Sequence, residues 1–148
     1  MNNSKLLMVI VNTLNISSDE VNKILKLGDI VDEDIIDNVS TVCDNETFEG
    51  FLNGFIIYKR GPKEEKPGTN KKAPLQIKEG KSINNVVFKK LKIAFALTND
   101  DIIEIFEEAN VKMTKNDLTT YLRKEGHKHY RNLEDRYLKV FFNGVAKR

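Results

Sequence analysis

The side chains best suited to chemistry lie together in one short stretch of the sequence. Within nine positions the chain has four cations, two histidines and a tyrosine: Arg123, Lys124, His127, Lys128, His129, Tyr130 and Arg131. Arginine makes forked contacts with phosphate groups, and tyrosines at positions 121, 130 and 137 offer faces on which bases stack. This pattern predicts an anion-binding loop whose ligand is the phosphate backbone of RNA or DNA.

A structural role for the same stretch stays open. Arg131 could pair with acidic residues at positions 134 and 135, and Tyr121 could pack in a helical core. The basic half could also dock on an acidic half. Residues 1–60 have ten acidic and five basic side chains, whereas residues 83–148 have nine acidic and thirteen basic ones. The formal net charge of only +2 argues against indiscriminate coating of DNA.

Other catalytic and metal-binding signatures are absent from the sequence. There is no phosphate-binding glycine loop, no dinucleotide fingerprint and no helix with paired zinc-binding histidines. His127 and His129 supply only two metal ligands, and a third would have to come from a residue such as Glu125. Cys43 has no histidine in its own half to act as a base. We therefore expect a binding module rather than an enzyme, with no catalytic residue, metal or cofactor.

Prolines and glycines divide the chain into two parts. All three prolines fall between residues 61 and 82, where most other residues are polar. This composition predicts an exposed linker over 61–82, between a first domain of residues 1–60 and a second of residues 83–148. No apolar run is long enough to span a membrane, and a single cysteine favours a reducing, cytoplasmic location.

The first half has four segments with helical periodicity. The expected N-terminal caps of its second, third and fourth helices are Ser17, Asp32 and Asp44. We expect Gly28 to end the second helix and the apolar face of the third to run through Val42.

The second half repeats this order of elements. Its expected caps are Thr98 or Asn99, then Thr114 and Asn132, and Asn110 takes the place of Gly28. The clearest match aligns residues 51–54 (FLNG) with residues 141–144 (FFNG). The self-similarity predicts an all-α protein of two similar four-helix repeats, packed about a pseudo-twofold axis and joined by the Pro-, Gly- and Lys-rich linker.

Small and polar residues within this match have two interpretations each. Gly50 and Gly54 lie on one helix face, where glycine costs about 1 kcal/mol relative to alanine. Close approach of a neighbouring helix is the favoured explanation, and contact with a ligand is the alternative. For Asn53 and Asn143, hydrogen bonding to free carbonyl groups near a helix end is favoured over a functional role.

Six segments spread over both halves occur in a characteristic order. They are residues 51–61, 91–97, 102–106, 121–131, 135–138 and 142–144. Together they resemble the bacterial YehS-like family. The resemblance implies a bacterial source and a duplicated helical domain, and it carries over no catalytic or binding residue because the function of that family is unassigned.

The leading hypothesis is a non-enzymatic bacterial module that binds nucleic-acid phosphates. The alternative is a protein-interaction or assembly adaptor in which two lobes, or two copies in a homo-oligomer, bury the helix faces of Gly50, Gly54 and Gly144. A third hypothesis, an enzyme with a small-molecule site between the lobes, is supported by no particular residue.

Overall fold

The computed structural model describes residues 2–61, 77, 83–124 and 126–148. The predicted linker therefore lies outside the described residues apart from Gly61 and Ile77. The described residues form eight helices and no strand, which confirms the all-α prediction. The helices are α1 (Asn3–Thr13), α2 (Ser18–Leu27), α3 (Glu33–Asp37), α4 (Asn45–Arg60), α5 (Ile83–Ala94), α6 (Asn99–Glu108), α7 (Lys115–Leu122) and α8 (Asp135–Ala146).

Side-chain caps begin most of these helices where the sequence predicts them. Asp32 and Asp44 cap α3 and α4, each by accepting a backbone N–H from the first turn. Three helices begin with a reciprocal capping box: Ser17 with Glu20, Thr98 with Asp101, and Thr114 with Asp117. The N–H groups of the two threonine caps hold the pKa of Asp101 and Asp117 below its usual value.

The third helix is shorter than predicted. It ends at Asp37, and Val42, which was expected on its apolar face, is 68% exposed. Asn38 donates its side-chain amide to the carbonyl of Asp34, and the hydroxyl of Thr41 donates to the carbonyl of Asn38. Such local hydrogen bonds compete with the helical pattern, which explains the early end.

The last helix begins later than predicted. Its N-terminal cap is Glu134 rather than Asn132, and Glu134 makes no side-chain capping bond. The preceding residue, Leu133, is instead tied to α5 through hydrogen bonds to both its N–H and its carbonyl. This tertiary anchoring sets the entry into α8 in place of a local cap.

The second helix ends at the predicted stop, because Gly28 is its C-terminal cap. Gly28 has φ −90°, and the left-handed residue is Asp29, with φ 66°. In the second half Ala109, not the expected Asn110, is the C-terminal cap of α6. Asn110 is the left-handed residue, with φ 58°, and so corresponds to Asp29 rather than to Gly28. The same hydrogen-bonded turn follows in both halves: Ile30 N–H to Leu25 carbonyl at 2.9 Å, and Val111 N–H to Phe106 carbonyl at 2.8 Å.

Glycine allows α2 and α4 to cross in close contact. A Cβ at Gly28 would overlap the carbonyl of Gly50, and a Cβ at Gly54 would overlap the carbonyl of Ile24. In the second half a Cβ at Gly144 would overlap the side chain of Ile105. The predicted close helix approach is thus observed, and these helix faces are already filled from within the same half. They are not free to bind the other lobe or another chain.

The two halves meet mainly where α4 packs on α5. Phe55 of α4 contacts Phe95 just beyond α5, with ring centroids 5.6 Å apart. Asn53, which lies inside α4 rather than at its end, accepts a 2.6 Å hydrogen bond from the buried Lys90 ammonium of α5. The preference for Asn53 as a cap of free carbonyl groups is therefore wrong. Burial lowers the pKa of Lys90, against the opposing effect of the Glu49 carboxylate.

Within the described ranges, no helix combines the length and the apolar character needed to cross a membrane.

Candidate functional site

The predicted anion-binding residues lie in the connection between α7 and α8. We call residues 123–131 the basic loop; Glu125 lies outside the described residues. Gly126 has φ 93°, a conformation that favours glycine. His127 donates its N–H to the Lys124 carbonyl at 3.1 Å, and Tyr130 donates to the His127 carbonyl at 2.9 Å. The connection between α3 and α4, over residues 38–44, is shorter and contains no Lys, Arg or His.

A buried asparagine fastens both ends of the basic loop. The amide nitrogen of Asn85, on α5, donates to the carbonyls of Tyr121 at 3.0 Å and Arg131 at 2.7 Å. Its oxygen accepts the N–H of Leu133 at 2.8 Å. One side chain that is 6% exposed thus satisfies three backbone groups on both sides of the loop.

A second asparagine extends this anchor to the beginning of α8. The amide of Asn84 donates to the Leu133 carbonyl at 2.9 Å and to the Asp135 carboxylate at 2.7 Å. The latter bond is the main cause of the lowered pKa of Asp135. The first half has a similar contact, in which Asn3 donates to Asn45 at 2.9 Å.

Three cations of the basic loop are directed to solvent. Arg123, Lys124 and Lys128 are exposed, and none of them makes an ion pair within the described parts of the chain. His127 and His129 are also exposed, and Tyr130 is half-buried. The loop therefore brings together most of the predicted site as an accessible basic surface.

Arg131 has a different role from the other loop cations. Its guanidinium lies 3.5 Å from the Asp117 carboxylate and 5.3 Å from the ring centre of Tyr121. The predicted partners at 134 and 135 are engaged elsewhere, because Glu134 pairs with Arg136 at 2.7 Å and Asp135 accepts from Asn84. Arg131 packs along the loop base, where its charge is partly compensated.

Stacking of bases on Tyr121 is excluded by its burial. Its side chain is 5% exposed, and its ring lies 6.3 Å from that of Tyr137 and beneath Arg131. Burial also raises the pKa of the Tyr121 hydroxyl. Among the three predicted stacking residues, Tyr121 therefore belongs to the helical core, whereas Tyr130 lies within the loop itself.

The two histidines are close together and contact the loop backbone and Arg123. Their ring centres are 5.7 Å apart. Nδ1 of His127 accepts the N–H of His129 at 3.1 Å, and its Nε2 lies 3.3 Å from a guanidinium nitrogen of Arg123. A neutral imidazole has a single acceptor nitrogen, so only one contact is a hydrogen bond in each tautomer. No group of three or more His, Cys, Asp or Glu side chains suited to a metal occurs in the described ranges.

Cys43 is poorly suited to act as a nucleophile. Burial, with a smaller contribution from the Asp44 carboxylate, raises the pKa of its thiol to about 12. We expect the thiol of the folded protein to react with iodoacetamide about a hundredfold or more slowly than in the urea-unfolded chain near pH 8. Mass spectrometry of the alkylated chain measures both rates. Equal rates in the two states would contradict this environment of Cys43.

The comparisons with known proteins match the sequence resemblance. Residues 84–148 match the profile of a family described as "Protein of unknown function (DUF1456)". The chain is 37% identical over 106 residues to the "Uncharacterized protein YehS" of Escherichia coli (strain K12). That alignment covers 72% of this chain and 64% of the length of YehS. No solved structure matches the chain. These matches support the resemblance of the chain to the YehS-like family of proteins, whose function is unknown.

Proposed function

We propose that the chain is a non-enzymatic bacterial binding module that engages the phosphates of RNA or DNA through the basic loop. The observation that carries this proposal is the exposure of Arg123, Lys124 and Lys128 on an anchored loop without compensating carboxylates among the described residues. Unpaired surface cations on a fixed backbone attract phosphates at little cost in conformational entropy.

We further propose that residues 1–60 and 83–148 are two similar four-helix repeats, packed about a pseudo-twofold axis and joined by the linker of residues 61–82. Matching turns after α1 and α5 support this proposal. The backbone N–H of Ile16 donates to the carbonyl of Val11 at 2.9 Å, and the N–H of Leu97 donates to the carbonyl of Lys92 at 3.0 Å. The preceding residues, Asn15 and Ala96, are both left-handed. Local conformations that recur in the same order indicate duplication rather than chance.

In a duplicated chain, the segment that differs most between the halves is a candidate for a separate function. Here that segment is the basic loop, which is longer than its counterpart. Between the third and fourth helices the first half has only residues 38–44, whereas the second half has residues 123–134. The extra backbone brings cations and histidines, and Asn85 supplies the hydrogen bonds that hold it. A longer connection held in place by a buried side chain is better explained by a role in binding than by neutral variation in loop length.

The experiment is a titration of labelled single-stranded and duplex RNA and DNA by fluorescence anisotropy. Arg123→Glu/Lys128→Glu is expected to weaken binding by about tenfold or more. It is also expected to lower the slope of log K against log salt concentration by the equivalent of about two phosphate contacts. Arg131 is left unchanged because its contacts to Asp117 and Tyr121 are structural.

The matched control reverses two exposed lysines of the first half. Lys5→Glu/Lys23→Glu changes the net charge by the same amount, and neither lysine makes an ion pair within the described residues. We expect this control to bind within about threefold of the unaltered protein, after allowance for long-range charge. Equal losses in both variants, or no binding at low salt, would reject the basic loop as the site.

A further inference from the structure

Exposed apolar side chains are concentrated in one stretch of the first half. Five large hydrophobic side chains are exposed in the described residues, and all but Ile93 lie between the end of α2 and the beginning of α4: Leu27, Val31, Ile35 and Val42. Val31 and Val42 are 70% and 68% exposed. We call residues 27–44 the α2–α3 corner.

The second half shows that this fold does not require apolar residues there. The turns that end α2 and α6 have the same hydrogen bonds, and α3 and α7 begin at the equivalent caps Asp32 and Thr114. Aligned on these features, the second half has charged residues opposite three of the exposed apolar ones: Glu108 for Leu27, Lys112 for Val31, and Asp117 for Ile35. Exposed apolar groups that folding does not need indicate an interaction surface.

The charges around the α2–α3 corner are of one sign. Residues 27–44 contain six Asp and Glu and no Lys or Arg. At its edge Lys26 pairs with Glu33 at 3.4 Å, and the remaining carboxylates from Asp29 to Asp37 are exposed. This surface repels nucleic acids and attracts cationic groups.

We propose that the α2–α3 corner docks a basic, amphipathic segment of another protein. Apolar side chains of that segment cover Val31, Ile35 and Val42, and its lysines or arginines face the surrounding carboxylates. The inference is independent of the basic loop and concerns the opposite half of the chain.

A second copy of this chain fits the corner less well than such a partner. Two corners facing each other would oppose six acidic residues to six more. The basic second half has suitable charge, but Ile93 is its one exposed large hydrophobic side chain among the described residues. It therefore lacks an apolar surface of matching extent.

The probe is a labelled synthetic helical peptide with leucine on one face and lysine on the other, titrated with the full chain by fluorescence anisotropy. Val31→Lys/Ile35→Asp introduces the residues of the second half at no change in net charge. It is expected to weaken peptide binding by about tenfold. The control variant Ile93→Lys removes an exposed hydrophobic side chain outside the corner. Its affinity for the peptide is expected to lie within about twofold of that of the unaltered protein.

Charge is tested separately from apolar contact. A peptide with glutamate in place of lysine keeps the leucine face, and we expect it to bind at least about tenfold more weakly. Circular dichroism establishes that each variant is folded. The proposal is overturned if Val31→Lys/Ile35→Asp binds as tightly as the unaltered protein, or if both peptides bind equally. It is also overturned if light scattering shows a dimer that this variant dissociates, because the occupant is then a second copy.

Discussion

Gly54→Ala is expected to lower the free energy of unfolding by about 3 kcal/mol or more, the largest effect of any single methyl group we consider. The added Cβ would overlap the carbonyl oxygen of Ile24 and lie 2.9 Å from the backbone nitrogen of Gly28. Both atoms belong to the backbone at the end of α2, so no rotation of a side chain relieves the overlap. The variant accommodates its methyl group only if α2 and α4 separate, which opens the core around Leu25 and Phe51.

Two other glycines provide graded controls for this substitution. At Gly144 the new Cβ would overlap the side chain of Ile105, which can change rotamer, so Gly144→Ala is expected to cost less, about 1–2 kcal/mol. At Gly61 nothing lies within 4 Å of the new Cβ, and the cost of about 1 kcal/mol comes from its φ of 85°. Urea unfolding followed by circular dichroism measures all three. A cost for Gly54→Ala no greater than that for Gly61→Ala would contradict the close crossing of α2 and α4.

Local sequence signals predict the helices well because the interactions that begin them are local. Ser17 and Glu20, or Thr114 and Asp117, satisfy each other within a single turn, and their spacing is visible in the sequence. The ends of helices are less predictable. Gly28 ends α2 as predicted, but the left-handed residue is the following Asp29, and Gly28 also lies against the Gly50 carbonyl of α4. A glycine near a helix end can serve backbone conformation or close packing, and only the tertiary structure distinguishes the two.

The residue types of the candidate site are predictable from the sequence, but the hydrogen bonds and packing that hold the loop in place are not. The cations of the basic loop are evident from their density, since arginine and lysine need only exposure to act on phosphates. The burial of Tyr121 and the pairing of Arg131 with Asp117 depend on contacts between α7 and the loop, which no spacing in the sequence reveals. The asparagines of α5 were missed for the same reason. The sequence signal for them is a pair of asparagines, Asn84 and Asn85, at the start of an apolar helix. Amide side chains that are buried there need hydrogen-bond partners.

Lys90 illustrates the same limit in the contact between halves. A lysine in an amphipathic helix is normally expected at the surface, yet Lys90 is 7% exposed and donates to Asn53. The exposed residue at the corresponding position of the FFNG segment, Asn143, has no such environment. The matching sequence segments therefore predict the helix and its glycine contact but not the different surroundings of their asparagines.

Asn85→Leu is expected to destabilise the second half by about 4 kcal/mol, because three backbone groups lose their hydrogen-bond partner in one substitution. The carbonyls of Tyr121 and Arg131 and the N–H of Leu133 all bond to the Asn85 amide. Leucine has the same number and branching of side-chain heavy atoms but neither donor nor acceptor, so the change removes the hydrogen bonds while keeping the shape of the side chain close to that of asparagine. Asn143→Leu, on the exposed face of α8, is the matched control and is expected to change stability by less than about 0.5 kcal/mol.

The effect of Asn85→Leu on the basic loop shows whether Asn85 anchors this loop or stabilises the whole fold. Under conditions where Asn85→Leu remains folded, hydrogen exchange at the Leu133 amide is expected to accelerate by about a hundredfold, whereas exchange in α2 and α4 stays within about threefold. The released loop should also bind nucleic acid about tenfold more weakly, since its cations must be ordered on binding. A uniform increase of exchange throughout the chain would mean that Asn85 supports the fold as a whole. If exchange at Leu133 were unchanged, Asn85 would not be the anchor of the loop.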